Sequence, residues 1–158
     1  MTIDPATRIG HVHLTVSDLD RALSFYRDVL GFDVTARYGR DAVFLSAGGY
    51  HHHLGLNTWA GRGAPRPPQG TTGLYHFAIL YPDRRALAQA VRGVIEQGVP
   101  LEGASDHGVS EAVYLRDPDG NGIELYRDRP PEQWPRAGDG GLAMTTQPLD
   151  LEALLREA

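Results

Sequence analysis

The chain has 158 residues, of which 41% are hydrophobic and 22% charged, with a formal net charge of -5. That is the size and composition of one ordinary globular domain with a single core. Its 15 basic residues form no run, so neither a phosphate-tracking groove nor an anionic membrane surface is expected as a partner. With no cysteine, disulfides, thiolate zinc sites and cysteine nucleophiles are excluded together, and any metal has to be held by His and carboxylate. The leading MTIDPATRIG lacks a secretory apolar core, and no apolar run approaches the roughly 20 residues of a membrane helix, so a cytoplasmic location is expected.

From Ile9 to Val16, apolar Val12, Leu14 and Val16 alternate with His11, His13 and Thr15, the period of a half-buried strand with both histidines on one face. Ser17 or Asp18 then caps a helix whose Leu19, Ala22, Leu23, Tyr26, Val29 and Leu30 follow helical spacing, and Gly31 stops it. Three strands are predicted at Phe32–Tyr38, Ala42–Ser46 and Tyr50–Asn57. A Gly- and Pro-rich connector containing Arg66-Pro67-Pro68-Gln69-Gly70 follows.

After the connector the pattern recurs. Gly73–Tyr81 reads as a strand carrying His76, Asp83 opens a helix with Leu87, Val91, Val94 and Ile95 on one side, and Gly98 closes it. Strands near Leu101–Ser105, Ala112–Arg116 and Gly122–Tyr126 complete it. The offset between the halves is 65 residues (11 to 76, and 18 to 83), which argues for internal duplication. The expected fold class is therefore α+β, with two tandem βαβββ modules forming one curved mixed sheet around a metal-binding cavity and the helices outside. Module one runs over about 7–59, the connector over 60–72 and module two over about 73–129. A C-terminal arm, 130–158, ends in a short amphipathic helix and reads as a lid or a dimer contact; the expected assembly is a homodimer.

Three residues stand out chemically. His76 lies in the otherwise apolar Leu74-Tyr75-His76-Phe77-Ala78-Ile79, and His11 holds the matching place in the first module. Glu124, in Gly122-Ile123-Glu124-Leu125-Tyr126, is a carboxylate whose apolar neighbours point to the helix side, so it faces the cavity and needs a proton or a cation. Two histidines and one carboxylate are the facial set that leaves positions open on Fe(II). The run Asp117-x-Asp119-x-Asn121-Gly122 copies half of a calcium loop, but a strand follows it and Asp128 stands at the twelfth position, so a hairpin turn is expected instead.

These residues resemble the vicinal oxygen chelate family, which includes glyoxalases, bleomycin resistance proteins and extradiol dioxygenases. The likeness is carried by Gly10-His11-Val12-His13-Leu14, Asp18-Leu19-Asp20-Arg21-Ala22, Phe25-Tyr26-Arg27-Asp28-Val29-Leu30-Gly31-Phe32, Leu74-Tyr75-His76-Phe77 and Asp117-Pro118-Asp119-Gly120-Asn121-Gly122-Ile123-Glu124-Leu125. It covers about residues 7–128 and implies a metal at His11, His76 and Glu124. In motif the chain is most similar to the type I extradiol catechol 2,3-dioxygenases. Tyr114 stands ten residues before Glu124, His107-Gly108 lies upstream with a spacing about two residues shorter than the family's, and His52 opens a His-x-aliphatic pattern. The resemblance implies Fe(II), with Mn(II) as the alternative, and an aromatic vicinal diol and O2 as substrates. It also implies that His52 is the base and that Tyr114 and His107 act on the substrate oxygen. Strand alternation instead turns His53 toward the cavity. A glyoxalase-like lyase or isomerase, a thiol transferase and a non-catalytic drug-binding protein are the competing expectations. The first is weakened because no Glu or Gln lies between Gly48 and Asn57 to serve as a fourth ligand.

Overall fold

The structure, a computed structural model, describes residues 2–68 and 70–158; of the connector motif, Gln69 lies outside the described residues. The chain divides into two compact units, 1–66 and 67–158, and the division falls inside the Gly- and Pro-rich connector. Each unit carries one βαβββ module with its own hydrogen-bonded mixed sheet. Among the described residues no helix is long and apolar enough to cross a membrane.

In the first unit, β1 (Val12–Thr15) pairs in parallel with β4 (Leu54–Asn57), which runs antiparallel to β3 (Ala42–Ser46); β2 (Asp33–Tyr38) pairs with the far side of β3. The parallel pair requires a crossover, and α1 (Leu19–Leu23) supplies it. Of the two candidate caps, Asp18 does the work, accepting a hydrogen bond from the Arg21 amide at 2.8 Å. The helix continues over Ser24–Val29 as a π-helical turn, where the Leu30 amide reaches back to the Phe25 carbonyl at 3.0 Å. Gly31, at φ 83°, then reverses the chain, as its sequence position predicts. Leu14, Val16, Val43, Leu45, Leu54 and Leu56 are buried on the helix side of the sheet, each full burial contributing about 1.5–3 kcal/mol.

Three predicted strands start three or four residues later than alternation alone suggests: Ile9 is exposed and β1 begins at Val12; β4 begins at Leu54, with the His53 backbone already bonded to Leu45 and Val12; and β5 (Phe77–Leu80) begins just after His76.

The second unit repeats the plan with β5 (Phe77–Leu80) parallel to β8 (Gly122–Asp128), then β7 (Ser110–Arg116) and β6 (Leu101–Asp106) antiparallel in turn. Here α2 (Arg84–Glu96) is a full helix, capped by Asp83 and burying Leu87, Ala88, Val91 and Val94. Behind the sheet the buried Glu111 receives Arg84 Nε and Arg127 Nε, both at 2.9 Å, which satisfies a carboxylate that would otherwise be costly there.

The arm docks on its own unit. It forms a small hairpin over Pro135–Ala143, closed by an Arg136–Leu142 bridge, then adds β9 (Gln147–Pro148) to the free edge of β6. It ends in α3 (Leu151–Leu155), whose Leu154 is fully buried, with Arg84 binding Glu157 and Arg92 the Leu155 carbonyl. The sequence shows the amphipathic end of this arm but not the strand, because two residues carry no periodic signal.

Candidate functional site

On β8 the apolar Ile123 and Leu125 are buried toward α2, so alternation turns Glu124 to the opposite face. His76 sits just before β5, whose Phe77 and Ala78 pair with Ile123 and Glu124. The backbone at Tyr75–His76 comes so close to β8 that a side chain at Gly122 would meet the Tyr75 carbonyl oxygen at 2.3 Å and His76 Cβ at 3.0 Å. Glycine at 122 is what lets His76 approach. Its Nε2 stands 2.9 Å from Glu124 Oε2, with the two side chains 31% and 13% exposed.

Tyr114 faces Glu124 directly across the β7–β8 ladder. Its hydroxyl is pushed up to about 12, first by burial and then by the neighbouring Glu124 carboxylate, by Tyr75 and by the hydrogen bond to Glu124. The same hydroxyl lies 2.7 Å from His107 Nε2. His107 Nδ1 lies 2.8 Å from the Thr145 carbonyl oxygen, which can only accept, so Nδ1 carries a proton. The row is thus His76, Glu124, Tyr114, His107, all linked within one unit. Tyr114 has one proton and two acceptors beside it, which makes it a point where a proton can change hands.

A cavity of about 370 Å³ opens onto this row, lined by Tyr75, His76, His107, Tyr114, Gly122, Ile123 and Thr146 among others, with Arg116 and Glu102 also on its wall. Arg116 Nε donates to Glu102 at 2.6 Å, so that part of the wall is charge-balanced.

The first unit gathers the other predicted residues. His11 and His52 pack ring to ring at 4.4 Å, and Phe44 meets the His52 ring edge-on at 5.0 Å. His52 is held below the ordinary imidazole range, first by burial and then by the charges His11, His51, His13 and His53 would carry. His53 goes elsewhere. Its Nδ1 meets Ser46 Oγ at 3.0 Å and the Ala47 amide at 3.3 Å, at the end of β3. The His53 backbone continues the ladder, its amide donating to the Leu45 carbonyl at 2.8 Å and its carbonyl accepting from the Val12 amide at 3.0 Å, so its ring is held beside Ser46 while that of His52 packs on His11 and Phe44. His13 lies over Gly55, where any side chain would strike its ring at 2.8 Å.

Among the described residues no group of three or more His, Cys, Asp and Glu side chains forms a metal-holding cluster; the structure pairs His76 with Glu124, and pairs His11 with His52. The donor set of the second unit nonetheless fits a hard or borderline cation. An imidazole nitrogen and a carboxylate oxygen, donor types that first-row divalent metals accept, converge to 2.9 Å at His76 Nε2 and Glu124 Oε2. The calcium-like run is a turn, as expected: Asp117 is buried, and its Oδ1 accepts from the amides of Asp119 and Asn121.

Sequence reasoning missed Thr145, Thr146, Ser46 and Gly122. Only Gly122 had a signal, a glycine at the start of a strand that could mark close backbone approach.

Two tandem βαβββ modules, each a mixed sheet with its own crossover helix, define the glyoxalase class of folds. The chain belongs to the Glyoxalase/Bleomycin resistance protein/Dioxygenase superfamily, whose family model matches residues 8–125. It is similar to a catechol-2,3-dioxygenase of Bacillus subtilis, 46% identical over 99% of this chain and 54% of that one. It is also similar to biphenyl-2,3-diol 1,2-dioxygenase 3 of Rhodococcus globerulus, at 34% identity over 81% of this chain and 66% of that one. The chain thus spans between half and two thirds of the length of these two relatives. Among solved structures, a lactoylglutathione lyase from Agrobacterium tumefaciens superposes with a TM-score of 0.60 at 28% identity, over 78% of this chain and 96% of that one.

Proposed function

We propose that this chain provides the metal-dependent site of an extradiol ring-cleaving dioxygenase acting on a catechol-like vicinal diol with O2. The observation that carries the reading is the row in the second unit: a His76–Glu124 donor pair 2.9 Å apart, with Tyr114 hydrogen-bonded to Glu124 and to His107. The two dioxygenase relatives support the same chemistry.

In this reading His76 and Glu124 hold Fe(II) or Mn(II), and His11 is the third ligand on the strength of the internal repeat and the family resemblance. When bound, the cation supplies neighbouring positions for both diol oxygens and for O2, and so brings the reactants together. His52, whose partial burial and imidazole neighbours favour its neutral form, takes a proton from a diol hydroxyl. Tyr114, which keeps its proton to high pH, turns that one proton from Glu124 or His107 Nε2 to a substrate oxygen when the diol binds. His107 stands behind Tyr114 and replaces or accepts the proton that passes through it, since its Nε2 is 2.7 Å from the hydroxyl. The cavity is large enough to accommodate a substituted single ring.

The test is anaerobic loading with Fe(II) or Mn(II), followed by a panel of catechols and O2. A ring-opened semialdehyde absorbance with one O2 consumed per diol is expected; no O2 uptake with either metal across the panel overturns the proposal. The likeness to a lactoylglutathione lyase favours one second reading, a lyase or isomerase needing no O2. Against it, β4 is Leu54-Gly55-Leu56-Asn57 and offers no Glu or Gln as a fourth ligand. Product formed under nitrogen would establish that reading instead.

A further inference from the structure

We infer that the C-terminal arm is a positioning element of the site, clamping His107 in the Nδ1–H tautomer so that Nε2 alone exchanges protons with Tyr114; the inference rests on the dioxygenase reading only for its catalytic consequence.

His107 lies in the hairpin between β6 and β7, where its amide donates to the Ser110 carbonyl at 2.9 Å and Gly108 takes a left-handed φ of 74°. Tyr114 on β7 meets the imidazole at Nε2, and the arm fixes the other nitrogen. The Thr145 amide donates to the His107 carbonyl at 3.0 Å, and the Thr145 carbonyl receives His107 Nδ1–H at 2.8 Å, so one residue grips both backbone and ring. Thr146 Oγ1 stands 3.4 Å from the same nitrogen. The grip is backed from the other side: a methyl on Gly108 would meet Pro135 Cγ at 2.8 Å and Thr145 Oγ1 at 3.3 Å. Pro135 is tied to this segment through its carbonyl, which accepts from the Ala143 amide at 2.9 Å. Beyond the clamp, β9 pairs Gln147 with Asp106, and α3 buries Leu154. The arm is thus fastened on both sides of its contact with His107.

The chemical consequence follows from the tautomer. A histidine whose Nδ1–H is held by a carbonyl presents Nε2 as its acceptor. Whether His107 carries one proton or two, Nδ1 remains a donor to Thr145. Only Nε2, facing the Tyr114 hydroxyl, gains or loses a proton, so transfer is directed into the cavity and away from the solvent side. An unrestrained histidine in water favours the opposite tautomer, with its proton on Nε2, and would compete with Tyr114 as a donor.

Two-bond nitrogen–proton spectra of the metal-free, labelled protein distinguish the tautomers, with His107→Gln assigning the signal. His107 is expected as Nδ1–H in the wild type. Gly108→Ala, which pushes a methyl into Pro135, is expected to shift it toward Nε2–H; Gly108→Ala with Pro135→Ala removes the struck ring atoms and restores the Nδ1–H signal, which a turn merely strained at φ 74° would not do. If Gly108→Ala does not fold, Thr145→Pro, which deletes the amide gripping the His107 carbonyl, takes its place with the same expectation. With Fe(II) and the best catechol, the displaced variant is expected to lose kcat by about 10²-fold with KM changed by no more than about twofold. An Nε2–H signal in the wild type, or a displaced variant with the wild-type signal, overturns the clamp. The expected tautomers without turnover of any diol leave the clamp standing and remove the dioxygenase reading.

Discussion

His76 Nε2 and Glu124 Oε2 stand 2.9 Å apart, a distance that one proton or one cation can bridge. The two residues come from β8 and from the segment just ahead of β5, and the parallel register Phe77↔Ile123 places them side by side. His76→Ala and Glu124→Ala are each expected to abolish stoichiometric binding of Fe(II) or Mn(II), measured by metal analysis after gel filtration. Because Glu124 is 13% exposed and bonded to both His76 and Tyr114, its removal leaves those groups without this partner, and the apoprotein variant is expected to melt below wild type. Full metal occupancy in both variants would remove the assignment.

Gly122 lets that pair form. Gly122→Ala is expected to push the Tyr75–His76 backbone away, because the added carbon would lie 2.3 Å from a carbonyl oxygen that cannot rotate aside. The expected cost is about 1–3 kcal/mol in a denaturant titration, together with weakened metal affinity. Wild-type stability and affinity together would show that the strands tolerate the insertion.

Tyr114→Phe deletes one hydroxyl and leaves the His76–Glu124 pair. Metal content is expected to stay at the wild-type level while turnover of the best diol falls by roughly 10²–10⁴-fold, the range for one positioned acid or donor. An unchanged rate would make Tyr114 a packing residue.

Tyr114 and Tyr81 both have hydroxyls pushed up to about 12, Tyr81 by burial alone and Tyr114 by burial first. Above the usual tyrosine value near 10, the unfolded chain releases these protons while the folded chain keeps them. The folded state therefore binds more protons over that window, and stability is expected to be full below about pH 10 and to fall as pH rises toward 12. Phenolate absorbance should show late-titrating groups, Tyr81, Tyr114 and the likewise raised Tyr126 among them, with one fewer in Tyr114→Phe.

His52→Ala is expected to slow O2 consumption severely with metal retained, because His52 packs on His11. His53→Ala is expected to keep most of the rate and to lose about 0.5–1.5 kcal/mol of stability with the Ser46 contact. The reverse order on a verified diol would return the base to His53.

What could be read from the sequence was whatever repeats locally. The alternation of Val12, Leu14 and Val16, the spacing of Leu87, Val91 and Val94, the capping Asp83 and the glycines at 31 and 98 each reflect a backbone geometry of a few residues, so the two βαβββ modules and the faces of His76 and Glu124 followed from the letters alone. Tyr114 and His107 were recognisable only by family pattern, and their hydrogen bond had to be seen in space. The choice between His52 and His53 was beyond the sequence, because family pattern and strand alternation point to different residues and only the packing of His52 on His11 and of His53 on Ser46 distinguishes their surroundings. Thr145 was invisible altogether: it lies 38 residues from His107, and its contribution is a backbone amide and carbonyl that any amino acid except proline could offer in full. Only the docking of the arm on the edge of β6, a long-range pairing of two residues with no periodic signature, brings that carbonyl to the imidazole and decides which nitrogen faces Tyr114.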